Sequence, residues 1–190
     1  MPPTDPADTA ASDASDPATD ESPETDAEEP AAALATFVER VLDMSVDDLD
    51  ATATVTGQDP TPGRQLLSLV ADADSATGVL PTLPMSLLDG ADGLDGLRAA
   101  LVVTGAARER LDGPALSLVE SRLAGADVTL YGHDGDAPVG LLLLDDIAVL
   151  CAFDATGEPG ALLVSRAPEL RAWIAESCSR YRDEADVLVG

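Results

Sequence analysis

From residue 31 onward, apolar and polar positions alternate with periods that mark out folded elements. Leu34, Phe37, Val38, Val41 and Leu42 fall on one face of a helix, and the acidic stretch 43–50 predicts its end. Thr61 and Pro62 read as the N-cap and first residue of a second helix, with Leu66, Leu67 and Val70 turned inward. Over 77–97, prolines and glycines interrupt short apolar groups, which predicts a short strand, a loop and a Gly-interrupted helix near 85–94. The run "AALVVTG" from Ala99 reads as a buried strand, "ARERL" as a short helix capped by Thr104, and Pro114 opens a longer helix. That helix turns Leu116, Val119 and Leu123 inward and ends at Gly125.

The second half is richer in strands. "DVTLY" is one, and "VGLLLLD" with "DIAVLCAFD" forms a hairpin that reverses at Asp145 and Asp146, whose short side chains tolerate a tight turn. "ATGEPG" is a further turn and "ALLVS" a last strand. The closing helix runs to about Ala185, and Leu170, Trp173, Ile174, Cys178, Tyr181 and Ala185 recur on the face expected to meet the sheet. This order predicts an α/β fold: a single mixed-sheet layered domain with an antiparallel hairpin and a C-terminal helix packed on the sheet.

Composition adds boundaries. Residues 1–30 hold six prolines and ten acidic residues with no basic residue, which predicts a disordered acidic tail. Residues 31–60 then supply a helix and linker, and 61–190 the α/β domain. Over the whole chain, 36 acidic residues against 10 basic ones give a formal net charge of -26, and every basic residue is Arg. That excess repels nucleic-acid phosphates and suits molar salt, where a Debye length of roughly 3 Å screens self-repulsion. A halophilic source and a cytoplasmic location follow as expectations. The start of the chain lacks the pattern of a secretory signal, and the longest apolar run, "IAVLCAF", is far short of the roughly 18 residues of a membrane span. Cys151 and Cys178 sit in apolar surroundings and are expected as buried, reduced thiols, with neither a disulfide nor a metal site.

Catalytic patterns are missing. His133, the one histidine, stands in "YGHDGDAP", a Gly- and Asp-rich stretch that reads as a solvated turn. No serine occupies a nucleophile elbow, and the glycines of "GADGLDG" do not match a phosphate-binding loop. Phosphoryl transfer of the phospholipase kind needs His and Lys in one motif, and the chain has no Lys. No enzyme and no cofactor is expected. For a small ligand, the residues at strand ends are the candidates: Thr104, Arg108, Tyr131 and His133, with Met85 and Leu88 as apolar lining and Arg98 or Arg108 for an anion.

The run "GALLVS" followed by "APELRAWIAESCSRYRDEADVL", together with "LVVTG", "TGVLPTLP" and the hairpin region upstream, resembles the C-terminal effector-sensing domain of archaeal winged-helix transcriptional regulators over about 61–188. The resemblance implies a regulatory domain that binds a small-molecule effector or a protein partner. It departs from such regulators before Thr61, where a winged helix of roughly 70 to 80 residues is expected and a single basic residue, Arg40, is found. Direct DNA contact is therefore not expected. The helix over residues 31–43 is a candidate for a homodimer or partner contact, although packing on its own domain is the simpler expectation. The alternative to a sensor is a structural or interaction protein that has lost ligand binding.

Overall fold

In a computed structural model, which describes residues 23–56, 59–84, 96–124 and 126–190, the apolar runs assemble into one mixed sheet of eight strands. In chain order these are β1 (Thr52–Val55), β2 (Ser75–Leu80), β3 (Arg98–Val103), β4 (Asp127–Gly132), β5 (Gly140–Leu144), β6 (Ile147–Phe153), β7 (Pro159–Ser165) and β8 (Asp186–Val189). Their spatial order is β1-β7-β6-β5-β2-β3-β4-β8. β2, β3 and β4 run parallel, and the remaining neighbours pair antiparallel. The helices are α1 (Pro23–Leu42), α2 (Pro62–Ala71), α3 (Gly105–Arg110), α4 (Pro114–Leu123) and α5 (Pro168–Asp183). The mixed α/β sheet, its hairpin and the C-terminal helix lying on it match the expected fold class.

Period-two alternation sends each central strand's side chains into two separate cores. On β6, Ala148, Leu150 and Ala152 point to one face, where α1 supplies Leu34, Phe37 and Val38 and α5 supplies Leu170, Ile174 and Cys178. Val149 and Cys151 point to the other, against Leu66 of α2. A smaller cluster joins Ala107 of α3 and Val119 of α4 to Val103 and Leu130. Because both faces are covered, strands such as "IAVLCAF" read as continuous apolar runs. The same geometry settles the cysteines: both are free and buried, and they belong to cores on opposite faces of the sheet. Burial alone pushes the Cys151 thiol far up, and burial raises Cys178 to about 12 against a smaller opposing pull from Arg182.

The β5–β6 hairpin closes through two residues, with Leu144 opposite Ile147 and Asp145 at φ 48°. Asp is one of the few side chains that accepts this left-handed backbone. Its carboxylate also ties the hairpin to β2, accepting from the Ser75 hydroxyl (2.8 Å), the Ser75 N–H (2.9 Å) and the Asp74 N–H (3.1 Å). The Ser75 hydroxyl is the largest of several bonds that hold the Asp145 carboxyl below its ordinary value of 3.8. A depressed carboxylate stabilises the fold above its unfolded value and loses that contribution as pH falls through the folded one. Asp145→Asn is therefore expected to flatten the decline in melting temperature below about pH 4, a range set by the ordinary carboxylate value. Parallel acid melts of the two proteins check this.

Several elements depart from expectation. α1 reaches back to Pro23, ahead of the expected start at Ala31, and carries Pro30 within it. β1 and β8, both edge strands of four residues, were not anticipated, and α5 stops at Asp183 so that the chain can extend into β8. The Gly-interrupted helix near 85–94 and the C-cap at Gly125 lie outside the described residues, as does most of the tail.

Trp173 is the clearest correction. It is half-buried and packs edge-on to Phe37 of α1, with ring centroids 5.6 Å apart at 74°, while Leu170, Ile174, Ser177 and Cys178 take the buried face of α5. The cause is α1, which lies beside α5 and takes the aromatic face the sheet was expected to cover. Trp173→Ala should thus cost less than the roughly 3–5 kcal/mol of a fully buried Trp. A double-mutant cycle with Phe37→Leu is expected to return a coupling of about 0.5–1.5 kcal/mol.

Candidate functional site

The loops that follow the parallel strands form a rim at their carboxyl ends, the usual ligand position in α/β sheets. Backbone bonds lace that rim together. Thr104 N–H donates to the Leu80 carbonyl (3.1 Å), Ala107 N–H to Pro81 (3.3 Å), His133 N–H to Val103 (2.9 Å) and Gly105 N–H to Gly135 (3.1 Å). The end of β6 and the turn after it face these loops. That turn is held by Asp154, whose Oδ1 accepts from the Thr156 hydroxyl (2.6 Å), the Thr156 N–H (2.8 Å) and the Glu158 N–H (3.1 Å). Burial works to raise the Asp154 carboxyl, and these bonds outweigh it, leaving the group below its ordinary value.

Between rim and turn lie two adjoining recesses that share Thr82, Arg110, Thr156 and Gly157. One, of about 300 Å³, runs past Pro81, Ala106, Pro138 and Phe153. The other, of about 220 Å³, runs over Leu83, Leu111, Leu118 and Val119, with Glu158 at its edge. Together they make a trough, mainly apolar in the smaller recess and mixed in the larger, with a single guanidinium. Arg110, at the end of α3, is exposed and makes no ion pair among the described residues, whereas Arg108 reaches Asp112 (3.5 Å), Arg64 reaches Asp59 (3.7 Å) and Arg166 reaches Asp146 (3.6 Å).

A separate recess of about 230 Å³ lies beside α5, lined by His133, Asp136, Arg180, Tyr181 and Glu184. His133 is not the solvated turn residue expected, since its side chain is only 16% exposed. The Nδ1 atom accepts the Gly135 N–H (2.8 Å), which leaves Nε2 to carry the proton of the neutral ring toward Glu184 Oε2, 3.5 Å away. Tyr181 stands edge-on to the ring (centroids 4.9 Å, 67°), and its hydroxyl donates to the Asp136 carbonyl (3.0 Å). These bonds fasten α5 to the rim. A third space, about 60 Å³ between the parallel strands and α2 and α4, is lined by apolar side chains such as Val70, Leu97 and Leu101, with no polar side chain among the described residues to orient a ligand.

The candidate ligand residues divide accordingly. Thr104, Arg108 and His133 come together at the rim, but none lines the trough. Thr104 is fully buried, and its hydroxyl makes neither the expected cap bond nor any other. Arg108 lies across the backbone of Gly132 with its Nε buried and unbonded. Tyr131 packs into the core beneath α5. Arg98 begins β3, at the opposite end of the strand from Thr104, close enough to Asp145 to help depress its carboxyl. Met85 and Leu88 lie outside the described residues. Thr82, Arg110, Leu118 and Thr156 were not anticipated. Arg110 follows Arg108 by two residues on a helix, so the two point to different sides, and the sequence signal marked the helix without its orientation.

The helix over 31–43 spends its apolar stripe within its own domain, since Leu34, Phe37 and Val38 are buried there. Thr36, Glu39, Arg40 and Asp43 remain outside as a polar face. Among the described residues there is no group of three or more His, Cys, Asp or Glu placed to hold a metal ion, and no helix long and apolar enough to cross a membrane.

The family model described as "Methanogenesis regulatory protein FilR1, middle domain" matches residues 60–184, about two thirds of the chain. No curated protein sequence matches it. Among solved structures, TrmBL2, described as an archaeal chromatin protein with a novel mode of DNA binding, aligns with a TM-score of 0.53 at 13% identity. That alignment covers 86% of this chain and 64% of TrmBL2, so the chain spans less than two thirds of that relative. Nuc, a phospholipase D family member from Salmonella typhimurium, aligns with a TM-score of 0.54 at 13% identity, covering 74% of this chain and 99% of Nuc. At such identity both likenesses speak to the fold alone.

Proposed function

We propose, for a chain that belongs to the FilR1 middle-domain family, that it works as a sensor: a regulatory domain whose signal is a small molecule seated in the trough at the carboxyl ends of β2 and β3. The observation that carries this reading is the pair of adjoining recesses sharing Arg110, on a rim whose loops are already tied together by backbone bonds. A preformed hollow that joins an apolar part to a few convergent polar groups is the usual form of a small-molecule site, and the smaller recess supplies the apolar part. With a formal charge of -26, which repels nucleic-acid phosphates, the domain would act on transcription through a partner rather than by touching DNA itself. It would do so in a salt-rich cytoplasm. Phosphoryl transfer of the phospholipase kind would need a lysine beside its histidine, and the chain has none.

The test is a thermal-shift panel of metabolites in molar KCl, run on the protein, on Ala106→Trp, which fills the larger recess from an exposed position, and on Ala115→Trp, which does the same for the smaller one. A true effector at 100 times its dissociation constant adds about 2.7 kcal/mol of stability. That gain should vanish in at least one of the two Trp variants. A panel without a shift, or a shift that both variants leave intact, would overturn the reading and favour an interaction protein without a ligand.

A further inference from the structure

Resting on that reading, we infer that the trough takes an amphiphilic monocarboxylate: an anion with an apolar chain, its carboxylate on Arg110 and its chain over Leu118. Both residues line the same recess of about 220 Å³. Leu118 is 52% exposed, one of two large apolar side chains left in water among the described residues, and it adjoins Leu83, Leu111 and Val119. An apolar chain laid there removes that surface from solvent. Arg110 offers the planar fork that matches a carboxylate in two parallel bonds, and no carboxylate among the described residues pairs with it.

The surrounding charge limits the ligand to a single negative charge. Asp154 and Glu158 both border the trough, in a chain of net charge -26. Asp154 has its Oδ1 committed to three donors of its own turn, so it holds the wall in place and stays ionised. A phosphate dianion would meet that field with twice the repulsion and no second cation. A monocarboxylate meets one matching guanidinium, and molar salt screens the rest. The apolar contact survives the same salt, so chain length carries most of the affinity.

Isothermal titration in molar KCl with butyrate, hexanoate, octanoate and the neutral octanamide tests this. Affinity should rise roughly fourfold per added methylene. Octanamide should bind at least about tenfold more weakly than octanoate, the loss of one charge-assisted pair. Arg110→Ala should reduce octanoate to the octanamide level, while Arg180→Ala, which removes an equal charge at the separate recess, should change nothing. Leu118→Ser, at an exposed position, should flatten the chain-length dependence. Circular dichroism melts confirm that each variant folds. If octanamide equals octanoate, the carboxylate assignment fails while the trough remains an apolar site. If no carboxylate binds but a metabolite of the panel does so in a way that Ala106→Trp or Ala115→Trp abolishes, the ligand class fails and the sensor reading stands. Octanoate binding that ignores both Arg110 and Leu118 overturns the placement.

Discussion

Gly78→Val is expected to destabilise the domain by about 3 kcal/mol or more, at the upper end of what overpacking a core costs. Gly78 lies in β2, paired with Leu142 of β5 on one side and Leu101 of β3 on the other. A Cβ built on it collides with Leu142 Cδ2 and falls 2.7 Å from the Leu141 carbonyl oxygen. The leucine end can rotate; the carbonyl belongs to the sheet ladder and cannot. Relief thus requires β2 and β5 to separate where the parallel and antiparallel halves of the sheet meet. Urea melts in molar KCl would show a lower midpoint. A midpoint within about 0.5 kcal/mol of the parent, the range of a surface substitution, would mean the two strands do not approach as described.

Ile174→Ala is expected to cost about 2–5 kcal/mol. The side chain is fully buried in the core that α5 shares with α1, β2, β5 and β6. Truncation leaves a void in a layer whose β6 contributors include the small residues Ala148 and Ala152. The denaturation slope should be unchanged, since the surface exposed on unfolding hardly alters. Ligand binding in the trough should persist, because the trough is not lined by α5. Loss of binding in a folded Ile174→Ala protein would show that the core shared with β6 couples α5 to the trough.

The layered fold was legible because the sheet is covered on both faces. Runs such as "IAVLCAF" and "GALLVS" cannot be surface segments, and Asp145 with Asp146 marks the reversal between two of them. β1 and β8 escaped notice because an edge strand is ordered by its single neighbour. "TATV" and "DVLV" are four residues each, and only the register against β7 and β4 makes them strands. Trp173 misled for a related reason. Helical spacing fixes which residues share a face, but not which of two neighbours, sheet or helix, that face meets. The candidate site was legible only as a region. Thr104 and His133 did mark the carboxyl ends of β3 and β4, yet Thr82, Thr156 and Leu118 reach the trough from three separate stretches of chain. Nothing local in sequence announces such a meeting.

β6 links the trough to the N-terminal helix. Phe153, at its far end, lines the larger recess, while Ala148 and Leu150 on the same strand lie in the core beneath α1. The register slips between Ala152 and Phe153, where β6 meets β7. A strand is stiff along its axis, and a packed interior transmits displacement rather than absorbing it. In the proposed sensor, a guest pressing on Phe153 would act on a push-rod with one compliant joint, whose far end bears on α1.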